Sequence, residues 1–307
     1  MNILEIAQDL YLAELPLDVE GFRKFISSWI IKDGQTGVVV DVGPAATISR
    51  LVESIRYLGI KKIEFVLLTH VHLDHAGGLG DFIGYYPDAK VVVHENGEKH
   101  LTDPEKLWRA SKEVLGNFAQ FYGIPKPTPE DRIFKGSKLE FAGEEIKILN
   151  TPGHASHHQC FVFKDFIFVG EALGVYLTLK SDYYLRPSTP PKFFFEAAQE
   201  SIRKIESMGN FKVCFAHFGF RKDGKEIITA AKKQLSLWVE EVYDVAFKRD
   251  FKDKDTIIEI AKQELLEKDN RFNRYYLLDI DIQKREDYFI KKSLEGILEY
   301  IYRTYCP

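Results

Sequence analysis

The chain has 307 residues, of which 45% are hydrophobic and 29% are charged, a balance typical of a folded protein and not of a disordered or membrane-embedded one. A net charge of -4 at pH 7 gives no broad positive surface, so a nucleic-acid partner is not expected. Three scattered cysteines exclude a disulfide framework and predict reduced thiols.

Targeting signals are also not expected. Apolar runs stay well short of the roughly 20 residues that a membrane-spanning helix needs. The first ten residues contain Glu5 and Asp9 and lack a basic segment followed by an apolar one, which predicts no signal peptide and a cytoplasmic protein. Abundant Lys, Glu, Ile, Phe and Tyr favour a thermophilic source.

Strand patterns dominate the first quarter of the chain. Runs of apolar and β-branched residues predict strands at 3–7, 10–15, 25–32 and 37–42, with a turn at Asp33-Gly34. A helical period at 47–58 follows and is closed by Gly59. The next segment, 63–69, is a largely apolar run that predicts a buried strand.

The strand at 63–69 leads into His70-Val71-His72-Leu73-Asp74-His75. Three of the nine histidines and one carboxylate lie within this short segment. Histidine is the commonest side-chain metal ligand, and Asp supplies an oxygen ligand or a general base. We therefore predict a metal site at this strand end, with a hydrogen-bonded polar turn as the structural alternative. Asp74 is also predicted to cap the helix that follows.

The middle of the chain repeats a scheme of strands, helix and strand. Predicted strands lie at 90–94, 138–141, 145–149, 159–164, 166–169 and 212–216, and predicted helices at 104–122 and 192–208. Two such halves predict an α/β protein of stacked sheets with helices outside. Helical periods take over at 226–247, 255–268 and 284–303. We therefore predict two parts, residues 1–221 with the sheets and 222–307 as a helical appendage.

Three later strands also end in a residue that can bind metal. His154 follows the turn at Pro152-Gly153, Glu171 follows the strand at 166–169, and His217 follows the strand at 212–216. With the first cluster, the set contains enough nitrogen and oxygen ligands for two ions. The set contains no Cys, which disfavours a structural zinc site. Imidazole and carboxylate suit Zn, Fe or Mn, and the residues alone do not choose among them.

On these motifs the chain resembles the metallo-β-lactamase superfamily over residues 1–221. The matching elements are HVHLDH at 70–75, Asp41-Val42-Gly43, TPGH ending at His154 and AHFG containing His217. The resemblance implies a four-layered αββα sandwich with the site at one edge of the sheets. The loop at 186–191 and the helical C-terminal extension are similar to the less specialised archaeal and bacterial hydrolases, with a glyoxalase II-like ligand set.

The resemblance also implies which residues bind metal. The first ion would be held by His70, His72 and His154, and the second by Asp74, His75 and His217. Glu171 stands where the family usually has a bridging Asp. Its extra methylene allows a bridge only if the backbone retreats or the side chain folds back, and the alternative is that it binds one ion. Asp41 is expected to orient an imidazole through its free N–H.

Four further histidines match no ligand position. His157 and His158 are expected to support or cover the site, while His94 and His100 are expected to be structural or surface residues. The aromatic residues of 183–184 and 193–195 favour core packing over a role in lining a pocket.

Together these features predict a hydrolase with two divalent ions, with Zn²⁺ favoured over Fe or Mn. A metal-bound hydroxide would attack the substrate, and Asp74, the expected catalytic residue, would orient this nucleophile and move its proton. Because the surface is not basic, a small ester, thioester or lactone is the predicted substrate. The alternatives are a phosphodiesterase or ribonuclease, a mononuclear iron dioxygenase acting on sulfur compounds, and a non-catalytic metal-containing binding or regulatory protein. A homodimer is left open.

Overall fold

The computed structural model describes residues 2–249 and 253–306. These residues form two six-stranded sheets, one two-stranded sheet and ten α-helices. The two large sheets face each other, and helices cover the outer face of each. The predicted αββα sandwich with a helical C-terminal region is confirmed.

The first sheet contains the N-terminal strands in the order β1-β2-β3-β4-β5-β6. Strands β1 to β4 form an antiparallel meander, whereas β5 and β6 run parallel to β4. The strands are β1 (Ile3–Ala7), β2 (Leu10–Glu14), β3 (Ser27–Asp33), β4 (Thr36–Val40), β5 (Lys62–Leu67) and β6 (Lys90–Val92). The parallel pairing brings the carboxyl ends of β4 and β5 to the same edge.

The second sheet has the order β14-β13-β10-β9-β8-β7, and β10 and β13 are its parallel pair. Its strands are β7 (Glu140–Phe141), β8 (Glu144–Asn150), β9 (Gln159–Phe163), β10 (Phe166–Gly170), β13 (Lys212–Phe215) and β14 (Gly219–Arg221). The separate hairpin is formed by β11 (Val175–Thr178) and β12 (Tyr183–Arg186). The carboxyl ends of β10 and β13 therefore also share one edge.

The helices flank the sheets and are named in chain order. They are α1 (Ile48–Tyr57), α2 (Leu73–Ala76), α3 (Leu79–Tyr85), α4 (Glu95–Thr102), α5 (Glu105–Leu115), α6 (Phe118–Tyr122), α7 (Phe195–Ser207), α8 (Gly224–Tyr243), α9 (Lys254–Lys268) and α10 (Ile280–Tyr305). The single helix predicted at 104–122 is wrong, because Gly116 adopts a left-handed φ of 56° and separates α5 from α6. None of the helices described is both long and apolar enough to cross a membrane.

Aromatic and branched side chains fill the space between the two large sheets. Trp29 of β3 and Phe168 of β10 pack edge to face with ring centroids 5.8 Å apart. The Trp29 indole also donates a hydrogen bond to the Phe215 carbonyl across the sandwich at 2.9 Å. These contacts fix the second sheet relative to the first.

Helix α10 is joined to the sandwich by a buried ion cluster. Glu286 is fully buried and accepts from Arg186 Nε at 2.5 Å, from Arg285 Nη2 at 3.0 Å and from the Tyr184 hydroxyl at 3.1 Å. Arg285 donates in turn to the Gly21 carbonyl at 2.8 Å. These bonds tie the C-terminal helix to both halves of the sandwich. The division of the chain into two parts at residue 221 stays a prediction.

Glu286 gives a stability prediction. Burial raises its pKa, but Arg186 and Arg285 lower it more, to about 2 from 4.5. Its stabilisation is therefore complete above pH 4.5 and is lost as the pH falls towards about 2. We expect Glu286→Gln to lower the free energy of unfolding by about 3–5 kcal/mol at pH 7, because it leaves buried arginines uncompensated.

Urea unfolding at several pH values measures this effect. The difference in the free energy of unfolding between wild type and variant should become smaller in acid. Glu295→Gln, on the same helix but in a partly exposed pair with Lys292, is the control and should cost less than about 1 kcal/mol. Equal losses from the two substitutions would contradict the role of the buried cluster.

Candidate metal centre

Seven titratable side chains meet where strand ends of both sheets come together. They fall into two groups, and the ligand-type atoms within each group lie within 4.8 Å of one another. The first group is His70, His72, His154 and Glu171, and the second is Asp74, His75 and His217. The structure thus brings together all the residues that were predicted from the sequence as ligands.

The segment after β5 turns directly into the short helix α2. His72 is the N-cap residue of α2, with extended backbone and no side-chain capping hydrogen bond, and Asp74 lies in the first turn. The predicted capping role of Asp74 is therefore wrong. Its carboxylate faces imidazoles instead, 3.5 Å from the Nε2 atoms of His75 and His217.

Three imidazole nitrogens converge in the first group. His72 Nδ1 lies 3.1 Å from His70 Nε2 and 3.0 Å from His154 Nε2. His70 is fully buried and His154 is 8% exposed, so water cannot freely solvate these nitrogens. Nitrogen atoms held this close, away from bulk solvent, form a suitable pocket for a cation.

The Glu171 carboxylate lies between the two groups. Its Oε2 is 3.2 Å from His70 Nε2 and 3.0 Å from His154 Nε2 in the first group, and 3.3 Å from His75 Nε2 in the second. Its Oε1 lies 3.3 Å from His217 Nε2. One side chain therefore reaches both groups, as a bridging carboxylate would.

The backbone before Glu171 accommodates this reach. The pairing of β10 with β13 shifts register between Phe168 and Gly170, and Gly170 has a left-handed φ of 52°. A Cβ at this glycine would lie 2.5 Å from His158 Nε2. That nitrogen accepts a hydrogen bond from the Glu171 N–H at 3.1 Å, so buried His158 positions the Glu171 backbone.

Hydrogen bonds on the outer side of the rings fix the tautomers. His154 Nδ1 lies 3.0 Å from the Ser188 carbonyl, and His217 Nδ1 lies 3.2 Å from the Phe25 carbonyl. A carbonyl oxygen only accepts, so each Nδ1 must carry the proton. Each Nε2 then directs a lone pair into the site, which is the form that binds a metal.

Asp41 fixes His75 and His70 in the same way. It accepts from Thr69 N at 2.8 Å, from Thr69 Oγ1 at 2.7 Å and from His75 Nδ1 at 3.0 Å. Because the Thr69 hydroxyl donates to Asp41, its oxygen accepts from His70 Nδ1 at 3.1 Å. In their neutral form both histidines then direct an Nε2 lone pair inward, as the expected orienting role of Asp41 requires.

Burial and neighbouring charges shift the pKa values of individual site residues. Burial, together with His75 and His72, lowers the pKa of His70 well below 6.5, and burial with His154 lowers that of His72 to about 3. Burial opposes the charge on Asp74, but His75 and His217 lower its pKa to about 2. The Asp74 carboxylate is therefore ionised at neutral pH, while His70 and His72 favour the neutral form that binds a metal. Burial lowers the pKa of His75, but Asp74 and Asp41 raise it more, to well above 6.5, so a metal ion bound there would displace a proton from this ring.

The donor set fits divalent metal ions. His75 Nε2 is buried and has no hydrogen-bond partner among the residues that the structure describes, although two carboxylates lie within 3.5 Å of it. A buried nitrogen without a partner is costly, and a cation on its lone pair removes that cost. Without a cation, the inward lone pairs of the imidazoles and the carboxylate oxygens would repel each other.

A cavity of about 330 Å³ opens above these groups. Its floor contains Asp74, Glu171 and His217. Its walls are mainly apolar and come from α5, α10 and the loop after β12. The wall residues are Leu107, Ala110, Val114 and Leu115 of α5, Phe289 of α10, and Pro190 and Pro191 of the loop. The C-terminal helix thus forms part of the cavity wall.

Sequence reasoning missed several residues that support the site. Ser188 donates from Oγ to Glu171 Oε1 at 2.6 Å, and Phe25 stacks on His217 with ring centroids 4.2 Å apart. Ser188 lies in the loop at 186–191, and the similarity of this loop to one in related hydrolases was the sequence feature that could have indicated its role. Phe25 acts partly through its carbonyl, which every residue has, so no signal marked it. His94 caps α4 through Nδ1, as a structural histidine should.

The fold and site define the class of protein. It is an αββα sandwich that holds a buried cluster of histidines and carboxylates at one edge of its sheets. Residues 21–217 match the family model of the metallo-beta-lactamase superfamily. This chain belongs to that superfamily.

Individual relatives agree with this assignment. A metallo-beta-lactamase fold-containing protein of Sulfurisphaera tokodaii is 27% identical over 215 residues, 68% of this chain and 78% of the relative. An atrochrysone carboxyl ACP thioesterase of Passalora fulva is 26% identical over 141 residues, 45% of this chain and only 34% of the relative.

Solved structures show the same fold. A superfamily protein from Sulfolobus tokodaii has a TM-score of 0.68 at 22% identity, covering 94% of this chain and 98% of its own. A family protein from Thermus thermophilus has a TM-score of 0.67 at 20% identity, and the match covers 98% of this chain and 95% of that protein. These two matches include the helical C-terminal region.

Asp41 supplies a test of the site. Asp41→Asn would place an amide NH₂ against the donors of Thr69 or His75, so the imidazoles would lose their fixed orientation. We expect metal affinity to fall about 10–100-fold, measured by competition with a chelator. Asp81→Asn, in a surface pair with Lys126, is the matched control. Equal affinity in wild type and Asp41→Asn would contradict the orienting role.

Proposed function

We propose that this protein is a hydrolase with two divalent ions, zinc in the first instance. His70, His72 and His154 would hold one ion, Asp74, His75 and His217 the other, and Glu171 would bridge them. The observation that carries this proposal is the position of the Glu171 carboxylate, 3.0–3.3 Å from imidazole nitrogens of both groups. Zinc, a cytoplasmic location and a thermophilic source stay predictions from sequence.

When bound, two such ions polarise the substrate oxygen and lower the pKa of water towards neutrality. The residues of the chain supply orientation and proton transfer. Asp74 lies on the cavity floor and is ionised, so the carboxylate oxygen that does not hold the ion can accept a proton from the attacking water. Ser188 holds Glu171 Oε1, which keeps that carboxylate in place.

The cavity supports a small ester, thioester or lactone as the substrate. Its mainly apolar walls suit an acyl group, while the polar floor suits the reacting carbonyl. The similarity to the ACP thioesterase of Passalora fulva supports a thioester in particular. We therefore place the acyl group against α5 and α10.

A phosphodiester is the second candidate, and one observation favours it. Lys106, Lys192 and Lys292 also line the cavity, and cationic side chains suit a phosphate. Esters, thioesters, lactones and bis-p-nitrophenyl phosphate should be assayed side by side after metal reconstitution. Oxygen uptake with ferrous iron and a persulfide tests the dioxygenase alternative.

Removal of a first-group histidine tests metal catalysis. We expect His72→Ala to lower kcat/KM by several orders of magnitude, because the remaining nitrogens hold the ion in the wrong geometry. Circular dichroism should stay unchanged, since His72 is not part of the core. His94→Ala, which removes a histidine outside the site, is the control. Full turnover by His72→Ala under strict control of trace metal would refute the mechanism.

Glu171→Asp tests the bridge. The shorter side chain withdraws its carboxylate by one methylene from both groups, while the β10 backbone keeps the position that suits the longer Glu. We expect the bound metal to fall from two ions towards one per chain, measured by mass spectrometry of metals after dialysis. Glu200→Asp, on the surface of α7, is the control. Unchanged stoichiometry and affinity would show that Glu171 does not limit the second site.

A further inference from the structure

Tyr122 is a polar residue of the cavity that the proposed metal chemistry does not use. It ends α6 and lines the cavity together with Asp74 and Glu171. The residue is 1% exposed, and its hydroxyl has no hydrogen-bond partner among the residues that the structure describes. Buried hydroxyls without partners are rare because they cost free energy, so a partner from outside the chain is indicated.

The other buried polar atoms without partners narrow this choice. Among the described residues, the proposed ligand His75 and Thr128, Arg221 and Glu241 also carry such atoms, but these residues do not line the cavity. His157 does line it, with Nδ1 unpartnered, and its ring lies 6.0 Å from that of His72. Tyr122 is therefore the hydroxyl that meets both criteria, a buried atom without a partner and a place in the cavity.

Aromatic packing fixes α6, the helix that Tyr122 ends. Phe118, one helical turn earlier on α6, packs on Tyr288 of α10 with ring centroids 4.4 Å apart. The Tyr288 hydroxyl donates to the Val114 carbonyl of α5 at 3.3 Å. Gly123 then ends the helix with a left-handed φ of 80°. The Tyr122 ring itself belongs to the buried hydrophobic cluster against which Phe118 packs, so its position does not depend on a bond from its own hydroxyl.

The hydroxyl keeps its proton. Burial, with the nearby charges of Asp74 and Glu171, raises the pKa of Tyr122 well above 10. A neutral phenol can donate one hydrogen bond without adding negative charge to an already acidic floor. It differs in this respect from the carboxylates beside it, which only accept.

We propose that Tyr122 donates a hydrogen bond to the carbonyl oxygen of the bound acyl substrate. The inference rests on the proposed function for its kinetic consequence: negative charge develops on this oxygen as water attacks, so the bond strengthens in the transition state. The substrate is then held at two ends, by the apolar walls along the acyl group and by the Tyr122 hydroxyl at the reacting carbonyl.

Tyr122→Phe removes only the hydroxyl, and its effect on stability is distinctive. Because the hydroxyl has no partner among the described residues of the free protein, the unfolding midpoint should stay equal or rise. Metal content should be unchanged. A hydroxyl with a structural role would instead lower the midpoint. Tyr86→Phe is the matched control, since Tyr86 is a buried tyrosine that does not line the cavity.

Ligand binding tests the inference without turnover. The probe is octanoate, whose carboxylate offers an oxygen to Tyr122 and whose chain matches the apolar walls. We expect its Kd, measured by calorimetry on the metal-loaded protein, to rise about tenfold in Tyr122→Phe and to stay constant in Tyr86→Phe. Equal affinity in wild type and Tyr122→Phe, or no binding to wild type, overturns the inference.

The kinetic arm uses p-nitrophenyl octanoate. We expect kcat/KM to fall about 100-fold in Tyr122→Phe, mostly through kcat, and to be unchanged in Tyr86→Phe. Unchanged kcat/KM in Tyr122→Phe overturns the inference even if octanoate binds more weakly. If wild type hydrolyses no substrate while octanoate binding still depends on Tyr122, the proposed function fails and the hydrogen-bonding role of Tyr122 stands.

Discussion

Inward-facing lone pairs on buried imidazoles are the constraint on which the rest of the site depends. Four histidines have Nδ1 bonded outward, to Thr69, to Asp41, to the Ser188 carbonyl and to the Phe25 carbonyl. Each of these bonds determines which ring nitrogen is free, and all four free Nε2 atoms point at the same carboxylate. Such an arrangement repels itself unless cations occupy it, so the sandwich must supply enough stability to keep it assembled.

Much of the site follows from sequence because its ligands come directly after buried strands. The apolar run before His70 and the small residues before Glu171 and His217 locate strand ends, and parallel pairing brings strand ends together. The supports of the ligands are harder to predict. Backbone carbonyls such as that of Phe25 have no sequence signature, and their role depends on where a distant segment folds back.

The missed elements of the fold have a similar explanation. Strands β11, β12 and β14 span three or four residues each, too few to show a period of two. The helical period through 104–122 conceals a break at Gly116, because periodicity records which face is apolar and not the backbone angle of one glycine. That break matters, since it lets α6 turn towards the cavity and present Tyr122.

The C-terminal helix is both a support and a wall of the site. The Arg285 guanidinium lies 4.3 Å from the centroid of the Phe25 ring, and that ring stacks on His217. The adjacent Glu286 binds Arg186, at the start of the loop that presents Ser188 to His154 and Glu171. A helix that only covered the cavity would contact its rim alone. Here α10 reaches ligands of both groups through one intermediate residue or a short loop, so its packing and the geometry of the metal centre are coupled.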